Sequence, residues 1–146
     1  MEESMNLLEG IKEEFDLGEV DLGTYSPLTF AFIGDCIFDL VIRTIVVERH
    51  NASPNRLHQE KSRLVKARTQ AEMAMILQPY LTPEEEAIYR RGRNAKSYTT
   101  AKNASVTDYR KATGLEALYG YLYLKGRFER ILELIRISLN ELGLSV

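Results

Sequence analysis

Leu28-Thr29-Phe30-Ala31-Phe32-Ile33-Gly34-Asp35-Cys36-Ile37-Phe38-Asp39-Leu40-Val41-Ile42 is the longest apolar stretch of the chain. It reads as a helix that is apolar on every side, continues to about Glu48, and runs through the middle of a core. Two carboxylates interrupt it. Asp35 and Asp39 lie four residues apart, so a helix places them on one face. A buried carboxylate is costly, because desolvation drives it to take a proton or find a cation. No Lys or Arg lies within the run. Two readings stand. Either Asp39 reaches the surface while Asp35 accepts hydrogen bonds in the core, or the pair begins a cation site built from the core outward. Gly34 favours the second, since a glycine inside a helix costs roughly 1 kcal/mol against alanine and is best tolerated where another backbone packs close. Cys36, on the same helix, reads as a small core residue.

The rest of the composition narrows the class. At 146 residues the chain is long enough for one domain with an ordinary core. Asp35 and Asp39 break the apolar run well short of a membrane span, so no membrane role is expected. The acidic N-terminus is unlike a signal or transit peptide. A single cysteine forms no internal disulfide and fits a reducing, cytoplasmic compartment. The net charge of −2 conceals a division. Residues 1–21 hold eight acids and one base, for −7, whereas residues 49–111 hold thirteen Lys and Arg against six acids, for +7. A basic middle of this kind points to a polyanionic partner.

Read in order, Met5 to Phe15 is a short amphipathic helix with Leu7, Leu8, Ile11 and Phe15 on one side. A Gly- and Asp-rich linker leads to Ser26-Pro27 and the central helix. Ser53-Pro54 starts the next helix, Ser as cap and Pro at the first turn, which is expected to run unbroken to about Gln78. Its apolar positions are Leu57, Leu64, Val65, Ala71, Met75 and Ile76, and Arg56, His58, Lys61, Arg63, Lys66 and Arg68 line the other face. Thr82-Pro83-Glu84-Glu85 has capping-box spacing, and Glu84, Glu85 and Glu86 suit a helix start, which makes them structural. That helix is expected to end near Arg91-Gly92. Another begins near Thr107 and closes at Gly126, and a last amphipathic helix spans Phe128 to Leu142, with Ile131, Leu132, Ile135, Leu139 and Leu142 inward. No alternating β-branched run argues for a strand, so the fold class is all-α.

Glu116 stands ahead of a second apolar helical stretch, with Gly120 one turn on. Thr113 and Glu116 have the spacing of a capping box, so Glu116 could simply secure a helix start. Alternatively it faces Asp35 across two packed helices and shares a hard cation with it. Mg²⁺ suits such a pair, because it takes few carboxylates, keeps waters and leaves positions for phosphate oxygens. The segment Arg90 to Asn103 carries five positive charges and no acid. With its Ser, Thr, Asn and Tyr donors it reads as a surface for phosphate and sugar oxygens, with Gly92 permitting an unusual backbone. Nothing in it suits base-edge readout, so recognition of backbone and duplex shape is expected.

These residues resemble a known family. Phe32-Ile33-Gly34-Asp35 is similar to the signature helix of ribonuclease III, in shortened form. Arg91-Gly92-Arg93-Asn94-Ala95-Lys96-Ser97, Lys102-Asn103 and Glu116-Ala117-Leu118-Tyr119-Gly120-Tyr121-Leu122-Tyr123 resemble the Mini-ribonuclease III branch. So do Leu57-His58 and the segment Arg63 to Ala71. The likeness spans roughly Leu28 to Leu134, with no double-stranded-RNA-binding domain after it. It implies a ribonuclease III-like catalytic helical bundle at 28–146, preceded by the acidic segment 1–27 with its short helix. It also implies a Mg²⁺-dependent endonuclease that cuts double-stranded RNA as a homodimer, matures large-subunit (23S) ribosomal RNA from a base-paired precursor, and takes a ribosomal protein as a candidate helper. By the resemblance Asp35 is catalytic, Asp35 and Glu116 hold metal, and Asp39 is a candidate outer partner of the ion. The RNA-binding set is Arg91, Arg93, Asn94, Lys96, Ser97, Thr99, Lys102 and Asn103. The chain departs from full-length ribonuclease III at Leu28, Ala31 and Thr113, where the family has acids, so metal binding leans on fewer ligands. Ala101 stands where the loop is expected to carry Pro.

Two other readings compete. A ribonuclease-III-like RNA-binding or ribosome-associated scaffold would have no need of carboxylates beside phosphate, so the pair Asp35 and Glu116 speaks against it. An all-α nucleotide pyrophosphohydrolase would want Glu pairs at i,i+3 on two core helices, and outside the start at Glu84–Glu86 the chain lacks them.

Overall fold

Side-chain caps start the helices where the sequence offers them. The computed structural model describes residues 6–95 and 105–144. Among these residues there are seven α-helices and no strand. They are α1 (Leu7–Glu14), α2 (Pro27–Arg49), α3 (Pro54–Val65), α4 (Ala67–Leu77), α5 (Pro83–Asn94), α6 (Val106–Leu124) and α7 (Phe128–Glu141). Asn6, Ser26, Ser53 and Ser105 each accept from a backbone N–H of the first turn that follows, satisfying donors the helix itself cannot. Prolines at 27, 54 and 83 sit in first turns, where no N–H is missed. The Thr82 capping box forms as expected, and Gly126, at φ 76°, ends α6 in the left-handed region. No helix among the described residues is long and apolar enough to cross a membrane.

The helix at the centre is α6. Ala112 to Tyr123 is buried at every position except Glu116, which is half-buried, and α2, α5 and α4 pack around it. Phe38 stacks on Tyr119 with ring centroids 5.5 Å apart, and Phe30 meets Tyr121 edge-on at 5.5 Å. The central position expected for α2 is therefore only half right. One side of α2 joins the core through Phe30, Phe38 and Ile42, while Phe32 is 83% exposed and Cys36 and Leu40 lie on the same open stripe. Cys36 is not a core residue, because positions 32, 36 and 40 fall on the face turned away from α6.

The single helix expected over residues 54–78 is two. Lys66 adopts an extended conformation (φ −66°, ψ 157°) and divides α3 from α4. No Gly or Pro marks the break; the side chains around it close it instead. The Thr69 hydroxyl donates to the Arg63 carbonyl at 2.9 Å, and the Gln70 amide to the Val65 carbonyl at 2.9 Å. The break resets the helical register, so α4 buries Thr69, Gln70, Met73, Ala74 and Leu77 and leaves Met75 exposed.

Elsewhere, α5 continues past Gly92 to Asn94, and Leu132 of α7 is exposed, not inward. The three glutamates of α5 are structural, as expected. Glu86 pairs with Arg90, and Glu84 accepts from Tyr121 and Arg127. Glu85, 4% exposed, meets the Arg130 guanidinium at 2.9 Å through two oxygens, and that guanidinium also donates to the Tyr80 carbonyl and Glu133. Burial pushes the Glu85 carboxyl up, but Arg130 and the Thr82 amide outweigh it and hold it below its ordinary range.

Candidate active site

Two glycines bring the carboxylates together. A Cβ on Gly34 would lie 1.8 Å from the Glu116 carbonyl oxygen, and one on Gly120 would lie 1.9 Å from the Phe30 carbonyl oxygen. No other side chain fits, so α2 and α6 cross backbone against backbone. Asp35 follows Gly34 in α2, and Glu116 lies one turn before Gly120 in α6. Their carboxyl groups come within hydrogen-bonding reach of each other at that crossing. Asp35 is exposed on the open side, with Glu116 half-buried behind it.

Thr113 and Glu116 do not form a capping box, because α6 begins a full seven residues before Thr113, at Val106. The Thr113 hydroxyl donates back to the Tyr109 carbonyl within the helix. Glu116 is thus an interior helical residue with a carboxylate pointed at another carboxylate. Burial pushes its carboxyl up from 4.5 to about 8; the Asp35 charge adds to this, and a hydrogen bond from Gln70 opposes it. Such a pair retains a proton at neutral pH unless a cation takes its place.

Asp39 lies one turn beyond Asp35 and is already matched by cations. Arg43 Nε donates to its Oδ2 at 2.7 Å, and Lys61 Nζ stands 3.5 Å from its Oδ1. The surface-versus-core reading of the two aspartates is therefore reversed: Asp35 is the more open and Asp39 the more enclosed. Among the described residues no His, Cys or further carboxylate joins Asp35 and Glu116 to make a group of three. The donor set still suits a hard cation, being two carboxylates beside a buried amide. Gln70 Nε2 donates to Glu116 Oε2 at 3.2 Å, and Gln70 Oε1 is buried without a hydrogen-bond partner. Oxygen donors few in number, with an oxygen left unpaired, match Mg²⁺-type chemistry better than that of softer metals.

Close packing also sets the basic end of α5. A Cβ on Gly92 would fall 2.7 Å from Ala117 Cβ and 3.0 Å from Gly114 Cα. Gly92 thus serves contact with α6 inside a helix, not an unusual backbone. This places Arg93 and Asn94 within a turn or so of Glu116's part of α6. Arg93 lies over the Tyr89 ring and donates to Asn94 at 3.2 Å. Arg91 points elsewhere, into a cleft with Lys12, Asp21 and Tyr121 that contains neither Asp35 nor Glu116. Arg90 has its countercharge in Glu86. Lys96, Ser97, Thr99, Ala101, Lys102 and Asn103 lie outside the described residues.

Residues 28–127 match the ribonuclease III domain. The chain belongs to the ribonuclease III family. It is 50% identical over 115 residues to a Mini-ribonuclease 3 of Thermoanaerobacter sp., covering 79% of this chain and 81% of that one. It is 47% identical over 125 residues to a Mini-ribonuclease 3 of Enterococcus faecalis, covering 84% and 95%. The crystal structure of a Fusobacterium nucleatum protein matches with a TM-score of 0.76 at 30% identity, over 84% of this chain and 99% of that one. The resemblance to the Mini branch holds. The chain is a double-strand-specific endoribonuclease, and enzymes of this family are metal-dependent. The scaffold and pyrophosphohydrolase readings fall with that result.

Sequence reasoning assigned no role to Gln70. Its signal is a buried amide one turn of α4 past an unmarked break, legible only once the break itself is known.

Proposed function

We propose that this enzyme is Mg²⁺-dependent, works as a homodimer in the cytoplasm, and matures 23S ribosomal RNA from a base-paired precursor, with a ribosomal protein helping to present it. The observation that supports the reading most is the approach of Asp35 and Glu116 at the glycine crossing. In this reading both carboxylates hold the cation, and Asp39, balanced by Arg43 and Lys61, adds an outer negative charge one turn away. The bound ion supplies positive charge to the phosphate oxygens and lowers the pKa of an attacking water. The water oxygen bonds to phosphorus while an ester oxygen leaves with a proton. Asp35, on the open side, and Glu116, half-buried behind it, would together hold the ion where the strand arrives.

Arg93 and Asn94, with Arg91, Lys96, Ser97, Thr99, Lys102 and Asn103, are assigned to phosphate and ribose oxygens, which position a duplex without reading its bases. Purified chain incubated with a plain RNA duplex is expected to cut it with Mg²⁺ and to leave it intact with EDTA. Cutting that persists in EDTA would refute the metal reading.

A second copy supplies the second strand's site. Its support is the open stripe of α2: Phe32, 83% exposed, and Leu40, 45% exposed, which continues into an apolar groove of about 620 Å³ lined by Phe128 and Leu132. A continuous patch of this kind suits contact with a second copy. Phe32→Asp is expected to halve the sedimenting mass at micromolar concentration and to abolish double-strand cutting. An unchanged mass would move the dimer contact elsewhere.

A further inference from the structure

We infer that Gln70 is a positioning residue, whose amide, anchored on the Val65 carbonyl, holds the Glu116 carboxylate turned toward Asp35 for the cation. The inference rests on the reading of Asp35 and Glu116 as metal ligands. Gln70 is 2% exposed, so its amide cannot turn to water for partners. Nε2 spends its two hydrogens on two acceptors, Val65 O at 2.9 Å and Glu116 Oε2 at 3.2 Å, 46 residues apart in sequence from Gln70 in the second case. The first bond ties the amide to the last residue of α3, and the second ties it to the site.

A flexible Glu side chain has several rotamers, and only those pointing along α2 reach Asp35. A fixed donor on one oxygen selects among them without neutralising the other oxygen. That is the function outer partners serve in metal sites generally, where removing them typically weakens metal binding 10- to 100-fold. The break at Lys66 is what delivers the amide. Were α3 and α4 one helix, Val65 O would be bonded within it, and Gln70 would face another direction. Gln70 Oε1, buried and unpaired, is a further oxygen beside Glu116.

Mn²⁺ binding to the full chain without RNA, read by electron paramagnetic resonance, tests the inference apart from activity. Gln70→Leu roughly keeps the size and removes the amide, both its NH2 and its carbonyl oxygen. It is expected to raise the Mn²⁺ dissociation constant roughly tenfold. Thr69→Val, which removes the neighbouring bond across the same break, is expected to bind Mn²⁺ like the parent. Parent-like binding by Gln70→Leu overturns the inference. So does an equal loss in Thr69→Val, since the break and not the amide would then be responsible. Glu116→Gln separates the two levels. If it binds Mn²⁺ like the parent, the metal reading itself fails; if it loses binding while Gln70→Leu does not, only the role of Gln70 fails. Should Gln70→Leu not fold, Gln70→Met repeats the test. If neither folds, Mg²⁺ titration of the Gln70 side-chain amide signals in the parent decides: signals that move support the inference, and stationary ones overturn it.

Discussion

Asp35→Asn is expected to fold as the parent does and to cut duplex RNA at least about a thousandfold more slowly. Asparagine keeps the shape of the side chain and removes the charge a hard cation requires. Transition-state stabilisation by such an ion is several kcal/mol, and about 4 kcal/mol corresponds to roughly a thousandfold in rate. Asp35 is exposed, so little packing is lost. Melting should hold or rise slightly, because the charge that helps push the Glu116 carboxyl up is gone. Single-turnover cleavage of one duplex, alongside a thermal melt, checks both parts. A rate near the parent's would end the assignment of Asp35 as catalytic.

Gly34→Ala should have the largest effect on stability. Its new methyl would meet the Glu116 carbonyl oxygen at 1.8 Å, and the obstacle is backbone, which cannot rotate aside. The gain in helix propensity, up to about 1 kcal/mol, works against overpacking of roughly 1–3 kcal/mol or more. The steric effect wins here, because the helices themselves must part. A net loss of about 2 kcal/mol would lower the melting midpoint by about 4–8 °C in a chain of this size. The same parting moves Glu116 from Asp35, so cleavage should fall by on the order of a hundredfold even below the midpoint. Gly18→Ala is the matched control, as nothing lies within 4 Å of a Cβ there. If Gly34→Ala melts with Gly18→Ala, the backbone contact is not what holds α2 to α6.

Much of this was legible beforehand, for local reasons. Ser26-Pro27, Ser53-Pro54 and Thr82-Pro83 fixed three helix starts, because caps and first-turn prolines act within four residues. Gly34 and Gly120 announced a close approach, because glycine inside an apolar helix needs a reason. The readings that failed depended on what lies across the fold. The break at Lys66 has no local signal and is closed by Thr69 and Gln70. Cys36 and Leu132 look like core residues by composition, and only the rotation of their helices turns them outward. The capping-box reading of Glu116 failed because Thr113 sits inside a helix whose true start, Ser105, lies eight residues earlier. The pairing of Asp39 with Lys61 joins two helices and could not be read along one.

The Arg130 guanidinium has a thermodynamic consequence. It reaches α5's first turn, the turn at Tyr80 and its own helix at once. Detaching α7 would strand Glu85 as a buried charge, which costs several kcal/mol, so the last helix cannot open as a subunit of its own. It shares the cooperative unit of α6, which precedes it, and of α5, whose Glu85 lies 45 residues earlier in the chain. By contrast, α1 buries no residue and can open and close without disturbing that unit. Among the described residues α2 packs on α6 and so joins the same block, which leaves α1 as a loosely coupled N-terminal appendage and keeps the crossing of Asp35 and Glu116 wholly inside the block.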